Sequence, residues 1–174
     1  MFRMQACRTR VHSVILALML ASFGSPLRAE PLSYKTPIAI ADFTFTDTSG
    51  EPKDQTAAHA ERLHRFTEKL ARDLEQFGTY QTIPLNCPNE PCPQTPSEKA
   101  EAARATGARL LLIGGVQKMS TLVLWIKADV FDLTTDKPVL SRLLTFRGDN
   151  DAAWDHAEDF VLKQLRDLPA EPKP

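Results

Sequence analysis

The chain has 174 residues, of which 43% are hydrophobic and 25% are charged, and its formal net charge is −1. This length suits a single domain that buries a proper hydrophobic core. The charges are balanced and form no basic cluster, which argues against nucleic acid as the main partner and against docking on anionic lipid.

Residues 1–29 have the layout of a secretory signal peptide. Three of the four arginines in this leader precede an apolar run over residues 13–23, and Ala29 offers a small residue for cleavage. The run is well short of the roughly 20 residues that a membrane-spanning helix needs. We therefore expect an exported, periplasmic protein that is cleaved near Ala29 and has no transmembrane segment in its mature chain. Loss of the leader's four arginines takes the net charge from −1 to −5.

The expected mature chain contains two cysteines, Cys87 and Cys92, in the segment C-P-N-E-P-C. An even count in an exported chain indicates a structural disulfide. A redox role is less favoured because four residues separate the thiols, where catalytic dithiols favour two. A metal site is less favoured because no second pair of ligands lies nearby.

Hydrophobic periodicity predicts one domain over residues 30–168, followed by a disordered tail over 169–174. Strands are predicted over 37–45, 80–85, 108–119, 122–132 and 139–147, and helices over 57–77, 97–106 and about 151–168. Within the first strand, one face carries Ile38 and Ile40, and the other carries Ala39, Ala41, Phe43 and Phe45. The predicted N-caps of the three helices are Thr56, Ser97 and either Asn150 or Asp151.

The predicted element order is β-α-β-α-β-β-β-α. Alternation in the first half predicts parallel neighbouring strands joined by right-handed crossovers, and the second half predicts a meander of two hairpins. The expected fold class is α/β (α+β), with a single mixed five-stranded sheet and helices packed mainly on one face.

The sequence contains no pattern typical of a catalytic site or a cofactor site, so we expect neither an enzyme nor a cofactor. His59 and His64 are five residues apart, which places them about 140° apart around a helix and predicts solvated surface positions. Gly114 and Gly115 indicate a bulge or close strand packing, because no phosphate-loop sequence follows them.

An acidic group lies at the start of the last predicted helix and comprises Asp149, Asp151, Asp155, Glu158 and Asp159. Carboxylates at a helix N-terminus are favoured by the helix dipole without any further role. A divalent-cation site is the alternative, although the spacing matches no known coordinating loop.

Two groups of residues are candidates for contact with a partner protein. Trp125, Lys127 and Asp129 share the mixed face of the fourth strand, where exposed aromatic side chains beside charges are typical of a binding surface. The alternative is that Trp125 lies beneath the last helix. The second group, Asp47, Thr48 and Ser49, begins a polar loop over 47–55.

Loose motifs across most of the expected mature chain are I-A-I-A-D-F at 38–43, Y-Q-T-I-P at 80–84 and A-T-G-A-R-L-L-L-I-G-G-V at 105–116. With these motifs the chain resembles the periplasmic α/β domain at the amino terminus of TolB-like proteins. More narrowly, D-T-S at 47–49, the paired cysteines, G-G-V-Q-K-M-S-T-L at 114–122 and R-G-D-N-D-A-A-W at 147–154 resemble an uncharacterised family of exported bacterial proteins.

Neither resemblance implies catalytic residues, and the wider one implies a non-enzymatic role in envelope assemblies. The predicted function is therefore an exported adaptor that acts through contacts with an unidentified periplasmic or envelope protein. The alternative is a periplasmic carrier of a small molecule or metal ion, with residues 149–159 as its site.

Overall fold

The structure, a computed structural model, describes residues 35–85 and 93–168. The predicted leader, Cys87, Cys92 and the predicted tail lie outside these residues. The strands are β1 (Thr36–Ala41), β2 (Thr44–Asp47), β3 (Tyr80–Leu85), β4 (Leu110–Lys118), β5 (Val123–Asp132) and β6 (Lys137–Arg147). The helices are α1 (Thr56–Gln76), α2 (Pro96–Ala105) and α3 (Asp151–Arg166).

All six strands form one mixed sheet. Its order is β3-β1-β4-β5-β6, with β2 paired alongside β4. The β1–β3, β1–β4 and β2–β4 pairs are parallel, whereas β4–β5 and β5–β6 are antiparallel. The predicted fold class is confirmed, including the parallel first half and the meander that follows it. Pro84 lies in β3, which is an edge strand, as its missing N–H donor predicts.

The predicted first strand is interrupted, and this changes which face its aromatic residues occupy. Ile40 pairs with Leu112, and Thr44 pairs with Gly115. Between these two pairs the chain moves four positions along β1 and β2 but only three positions along β4. The extra residue acts as a β-bulge and reverses the side-chain alternation. Phe43 and Phe45 consequently pack in the same cluster as Ile38 and Ile40, and the expectation that they share a face with Ala39 is wrong.

Two helices cover one face of the sheet and the third covers part of the other. The larger cluster joins the sheet to α1 through Phe66 and Leu70 and to α3 through Val161 and Leu165. The smaller cluster joins the opposite face to α2 through Ala103. The crossover from β1 through α1 to β3 and the crossover from β3 through α2 to β4 run in opposite directions along the sheet. Because both crossovers are right-handed, α1 and α2 lie on opposite faces.

The caps of α2 and α3 show which local signals set the helix starts. Thr95, not the predicted Ser97, caps α2 and forms a capping box with Glu98. Pro96 follows Thr95 as the first residue of the helix. Asn150 caps α3 by accepting a hydrogen bond from the Ala153 N–H, in agreement with the sequence. Thr56 is the first residue of α1, and the cap position, Gln55, makes no side-chain capping bond.

Candidate functional site

The half of the sheet that α2 leaves uncovered is the candidate binding surface, and we call it the open face. Side-chain alternation places β5 residues 125, 127 and 129 on this face, because their neighbours in the strand point into the larger core cluster. Strands β2, β4 and β6 contribute the residues beside them. The open face comprises Thr44, Thr46, Gly115, Gln117, Trp125, Lys127, Asp129, Ser141, Leu143 and Thr145.

A groove of about 350 Å³ lies between the open face and the start of α2. Trp125 and Leu143 are 37% and 58% exposed and line one side of it. Pro96 and Lys99 of α2 line the other. Large apolar side chains with this exposure, bordered by polar groups, are typical of a surface that contacts another protein.

The charges on the open face are locally compensated. Lys127 Nζ lies 2.9 Å from Asp129 Oδ1 and donates to Ser141 Oγ at 2.5 Å. These contacts hold the lysine along the sheet, beside Trp125. The face therefore combines an exposed aromatic ring with an ordered polar border.

The glycine pair predicted to mark a bulge or close packing forms part of this surface. A Cβ on Gly114 would lie 2.2 Å from the Phe43 ring, because that ring packs directly against the β4 backbone. A Cβ on Gly115 would lie on the open-face side, 2.5 Å from Thr44 Oγ1. Gly114 therefore allows the Phe43 ring to pack against the backbone of β4. Gly115 leaves space in the groove that a side chain would fill.

The two predicted contact groups meet through Gln117. Asp47 Oδ1 accepts a hydrogen bond from the Ser49 N–H at 2.8 Å, and hydrogen bonding to Ser49 lowers the pKa of the Asp47 carboxyl. Thr48 Oγ1 accepts from Gln117 Nε2 at 3.2 Å, and Gln117 is the cross-strand partner of Trp125. The predicted loop residues thus lie at the border of the open face.

The interpretation that places Trp125 beneath the last helix is wrong. Trp154 of α3 is itself 3% exposed and fills that position in the core. Its ring lies 6.0 Å from the Phe45 ring and 6.0 Å from the Phe146 ring. Because β5 side chains alternate, Trp125 points away from α3.

A buried lysine, Lys118, anchors the loop over 47–55. Its side chain is 1% exposed, and its Nζ lies 2.5 Å from Glu51 Oε2 and 2.7 Å from Asp149 Oδ2. Burial alone lowers the pKa of this ammonium, but hydrogen bonds to Asp149 and Glu51 outweigh it and raise the pKa. The Thr48 N–H also donates to the Lys118 carbonyl at 2.9 Å. The loop is therefore fixed to the end of β4 by side-chain and backbone contacts.

Asp149 accepts hydrogen bonds from side chains of α1 and β4. His59 Nε2 donates to its Oδ2 at 2.8 Å and Arg62 donates to its Oδ1 at 3.1 Å, in addition to the Lys118 contact. Burial raises the pKa of Asp149, but the hydrogen bonds from Lys118 and His59 dominate and lower it. The carboxylate accepts from the cations Lys118 and Arg62 as well as from His59, which makes it a structural anion rather than a general base.

The prediction that His59 is a solvated surface residue is wrong. His59 is 2% exposed, and its ring stacks on that of Phe45 at 4.3 Å. The signal was present in the sequence, because position 59 continues the helical stripe of Leu63, Phe66 and Leu70. Lys118 carried a similar signal, since it alternates in phase with the core-facing Val116.

The acidic group near α3 is divided among separate cations. Asp151 Oδ1 lies 2.9 Å from both Arg62 Nε and Arg65 Nη2, while Glu158 and Asp159 contact Lys69. Within residues 35–85 and 93–168, no group of three or more histidine, cysteine or acidic side chains is arranged to hold a metal ion.

No helix in the described part of the chain is long and apolar enough to cross a membrane. No curated protein matches the sequence. The fold is similar to that of a PelC dodecamer from Paraburkholderia phytofirmans, with 18% identity and a TM-score of 0.52 over 79% of this chain and 90% of that one. It is also similar to the hypothetical protein CT253 from Chlamydia trachomatis, with 10% identity and a TM-score of 0.54 over 78% of this chain and 98% of that one.

TolB from Acinetobacter baumannii matches with 17% identity and a TM-score of 0.46, over 76% of this chain and 28% of TolB. At their identities, the PelC and CT253 structures show a shared fold only. The sequence family is defined independently, because a family model described as "Protein of unknown function (DUF2380)" matches residues 36–165. The match spans every strand of the sheet and nearly all of α3, and the chain therefore belongs to this family, DUF3280.

Proposed function

We propose that this protein is an exported, non-enzymatic adaptor of the bacterial envelope that binds a partner protein through the open face. The observation that carries the proposal is the half of the sheet that no described helix covers, where Trp125 and Leu143 remain exposed beside a groove. The opposite face of the same sheet is covered by α1 and α3. A large aromatic anchor at the centre of a partly apolar patch is the usual composition of a binding hot spot.

The chemistry of the buried polar network supports a binding role over a catalytic one. Lys118, Asp149 and Glu51 satisfy one another inside the protein, so they hold the loop over 47–55 in place beside the open face. A pre-ordered loop loses little conformational entropy when a partner binds. Thr48 and Ser49 are then available as polar contacts at the border.

The leader-like segment at residues 1–29 and the resemblance to TolB-type periplasmic domains support the proposed location in the envelope. Cell fractionation with N-terminal sequencing tests this part. We expect the protein in the periplasmic fraction with its first residue close to Glu30. Recovery from the cytosol with an intact leader would contradict it.

Partner binding is tested with the purified mature chain as bait in periplasmic extract of the native host. Wild type is expected to retain a partner in stoichiometric amount, and Trp125→Ala is expected to lose it. Phe77→Ala is the matched control, because Phe77 is 43% exposed at the end of α1 and lies away from the open face. Equal retention by Trp125→Ala and wild type would contradict a role for this face.

A further inference from the structure

The strand β6 is the last strand of the described sheet. It has 11 residues and, among the described strands, it is hydrogen-bonded to β5 alone. No other strand of the described residues pairs with its outer side. Pro138 has no N–H and Val139 forms a bulge, but residues 140–147 of this edge offer a regular row of N–H and C=O groups to which a further strand can pair.

The edge carries positive charge and no negative charge. Lys137, Arg142 and Arg147 are all exposed, and β6 contains no acidic residue. Within residues 35–85 and 93–168, none of the three lies within ion-pair distance of a carboxylate. Arg142 is nevertheless ordered, because its Nε donates to Gln164 Oε1 at 3.0 Å. The cations are thus displayed along the edge rather than used inside the fold.

This charge pattern disfavours a second copy of the chain as the occupant. When β6 pairs antiparallel with itself about its centre, Arg142 faces Arg142 of the other copy. Like charges directly opposite on paired strands are destabilising, whereas opposite charges stabilise by roughly 0.2–1 kcal/mol per pair. The same cations favour a strand that carries carboxylates.

Apolar side chains flank the edge on both sides of the sheet. Leu143 is 58% exposed and belongs to the open face. Phe160 is 50% exposed and lies one helical turn before Gln164, on the side of α3 that contacts β6. An added strand would therefore find an apolar contact above and below its own backbone.

We propose that β6 binds an acidic, extended segment of a partner protein by β-strand addition. The inference rests on the proposed function and names the chemistry of the partner. Backbone hydrogen bonds along the edge supply affinity, and carboxylates opposite Arg142 and Arg147 supply selectivity. Apolar side chains of the segment pack on Leu143 and Phe160.

The test uses selection from a library of random nine-residue peptides on the purified mature chain. The enriched peptides are expected to be richer in aspartate and glutamate than the input library and poor in lysine and arginine. The variant Arg142→Glu/Arg147→Glu is expected to bind the acidic peptides roughly tenfold more weakly and to enrich basic peptides instead. Hydrogen exchange in the presence of an enriched peptide is expected to slow for β6 amides.

The double variant Arg72→Glu/Lys163→Glu is the matched control, because it changes the net charge equally at two exposed positions outside the edge. It is expected to enrich the same acidic peptides as wild type. Failure to enrich any peptide, or enrichment without acidic bias, would overturn the proposal. Binding that depends on Trp125 but is insensitive to charge reversal at β6 would overturn it too, while leaving the proposed function intact.

Discussion

The Nζ of Lys118 lies 2.7 Å from Oδ2 of Asp149, where the two side chains are 1% and 7% exposed. This contact joins the end of β4 to the segment that leads into α3. Glu51 completes it from the loop over 47–55 at 2.5 Å. Three segments that are distant in sequence therefore depend on one buried ammonium group.

Replacing Lys118 by methionine is expected to lower the free energy of unfolding by about 3 kcal/mol, because Glu51 and the buried Asp149 both lose this ammonium group while Arg62 and His59 still donate to Asp149. Chemical denaturation measures the change. Lys127→Met is the control, since Lys127 forms a pair of similar length with Asp129 but is 45% exposed. Its expected cost is below about 1 kcal/mol. Equal costs at both sites would show that burial does not govern the Lys118 contact.

The two tryptophans are expected to separate stability from binding. Trp154→Ala removes a ring that packs against Phe45, Phe66 and Phe146, and should cost about 3–5 kcal/mol. Trp125→Ala removes a partly exposed ring and should cost less than about 1 kcal/mol. Thermal unfolding checks both values. A large loss of stability in Trp125→Ala would place that residue in the core rather than on a binding surface.

The adjacent glycines of β4 are expected to differ in their tolerance of a methyl group. In Gly114→Ala the Cβ meets the Phe43 ring at 2.2 Å and the Lys127 carbonyl at 2.6 Å, so we expect a loss of about 1–3 kcal/mol. In Gly115→Ala the nearest atom is Thr44 Oγ1, which can rotate away, and the loss should be smaller. Equilibrium denaturation of the two variants gives the order. The reverse order would contradict the packing of Phe43 on β4.

Glu158 is expected to make stability fall as the pH rises toward neutrality. Burial raises its pKa from 4.5 to about 7 despite its contact with Lys69, and its Oε1 has no hydrogen-bond partner among the described residues. A carboxyl whose pKa is raised on folding contributes stability below its unfolded pKa and loses it as the pH passes the folded value. The loss between pH 4.5 and pH 8 should be roughly 2–3 kcal/mol.

Glu158→Gln should remove this dependence, because an amide does not ionise. Urea denaturation at pH 4.5, 6 and 8 measures the pH dependence of stability. Glu68→Gln is the control, because Glu68 is exposed on α1. Lys69 keeps its charge in either case, since it also contacts Asp73 and Asp159. If wild type and Glu158→Gln show parallel pH profiles, Glu158 is ionised throughout.

The predicted disulfide between Cys87 and Cys92 lies outside the described residues and stays a prediction. Thiol titration of the unfolded, periplasm-derived protein is expected to find no free thiol. Reduction should lower stability by roughly 2 kcal/mol at most, because the closed loop is short and two prolines already stiffen it. Two free thiols in that protein would contradict the assignment.

Alternating and helical periodicity predicted the strands and helices well, because each element buries one stripe against the sheet. The break between β1 and β2 escaped prediction, since a single extra residue at Asp42 or Phe43 leaves the composition of the strand unchanged. The buried network escaped for a different reason. Each of Lys118, His59 and Asp149 is an ordinary surface residue by type, and only its phase within an element indicates burial.

The open face was partly predictable. The mixed pattern on β5 identified Trp125, Lys127 and Asp129, but it did not indicate whether a helix would cover them. That depends on the direction of each crossover, which places α2 over only half of its face. The adjacency of Thr48 to Trp125 through Gln117 arises from the parallel pairing of β2 with β4, which periodicity alone does not specify.

Site-specific photo-crosslinking in the native host tests the central claim most directly. A photoreactive phenylalanine replaces Leu143 on the open face, and in a second strain it replaces Arg72 on α1, which is similarly exposed. The account predicts one discrete crosslinked species from position 143 and none from position 72. Equal crosslinking from both positions, or none from position 143, would contradict a binding role for this face.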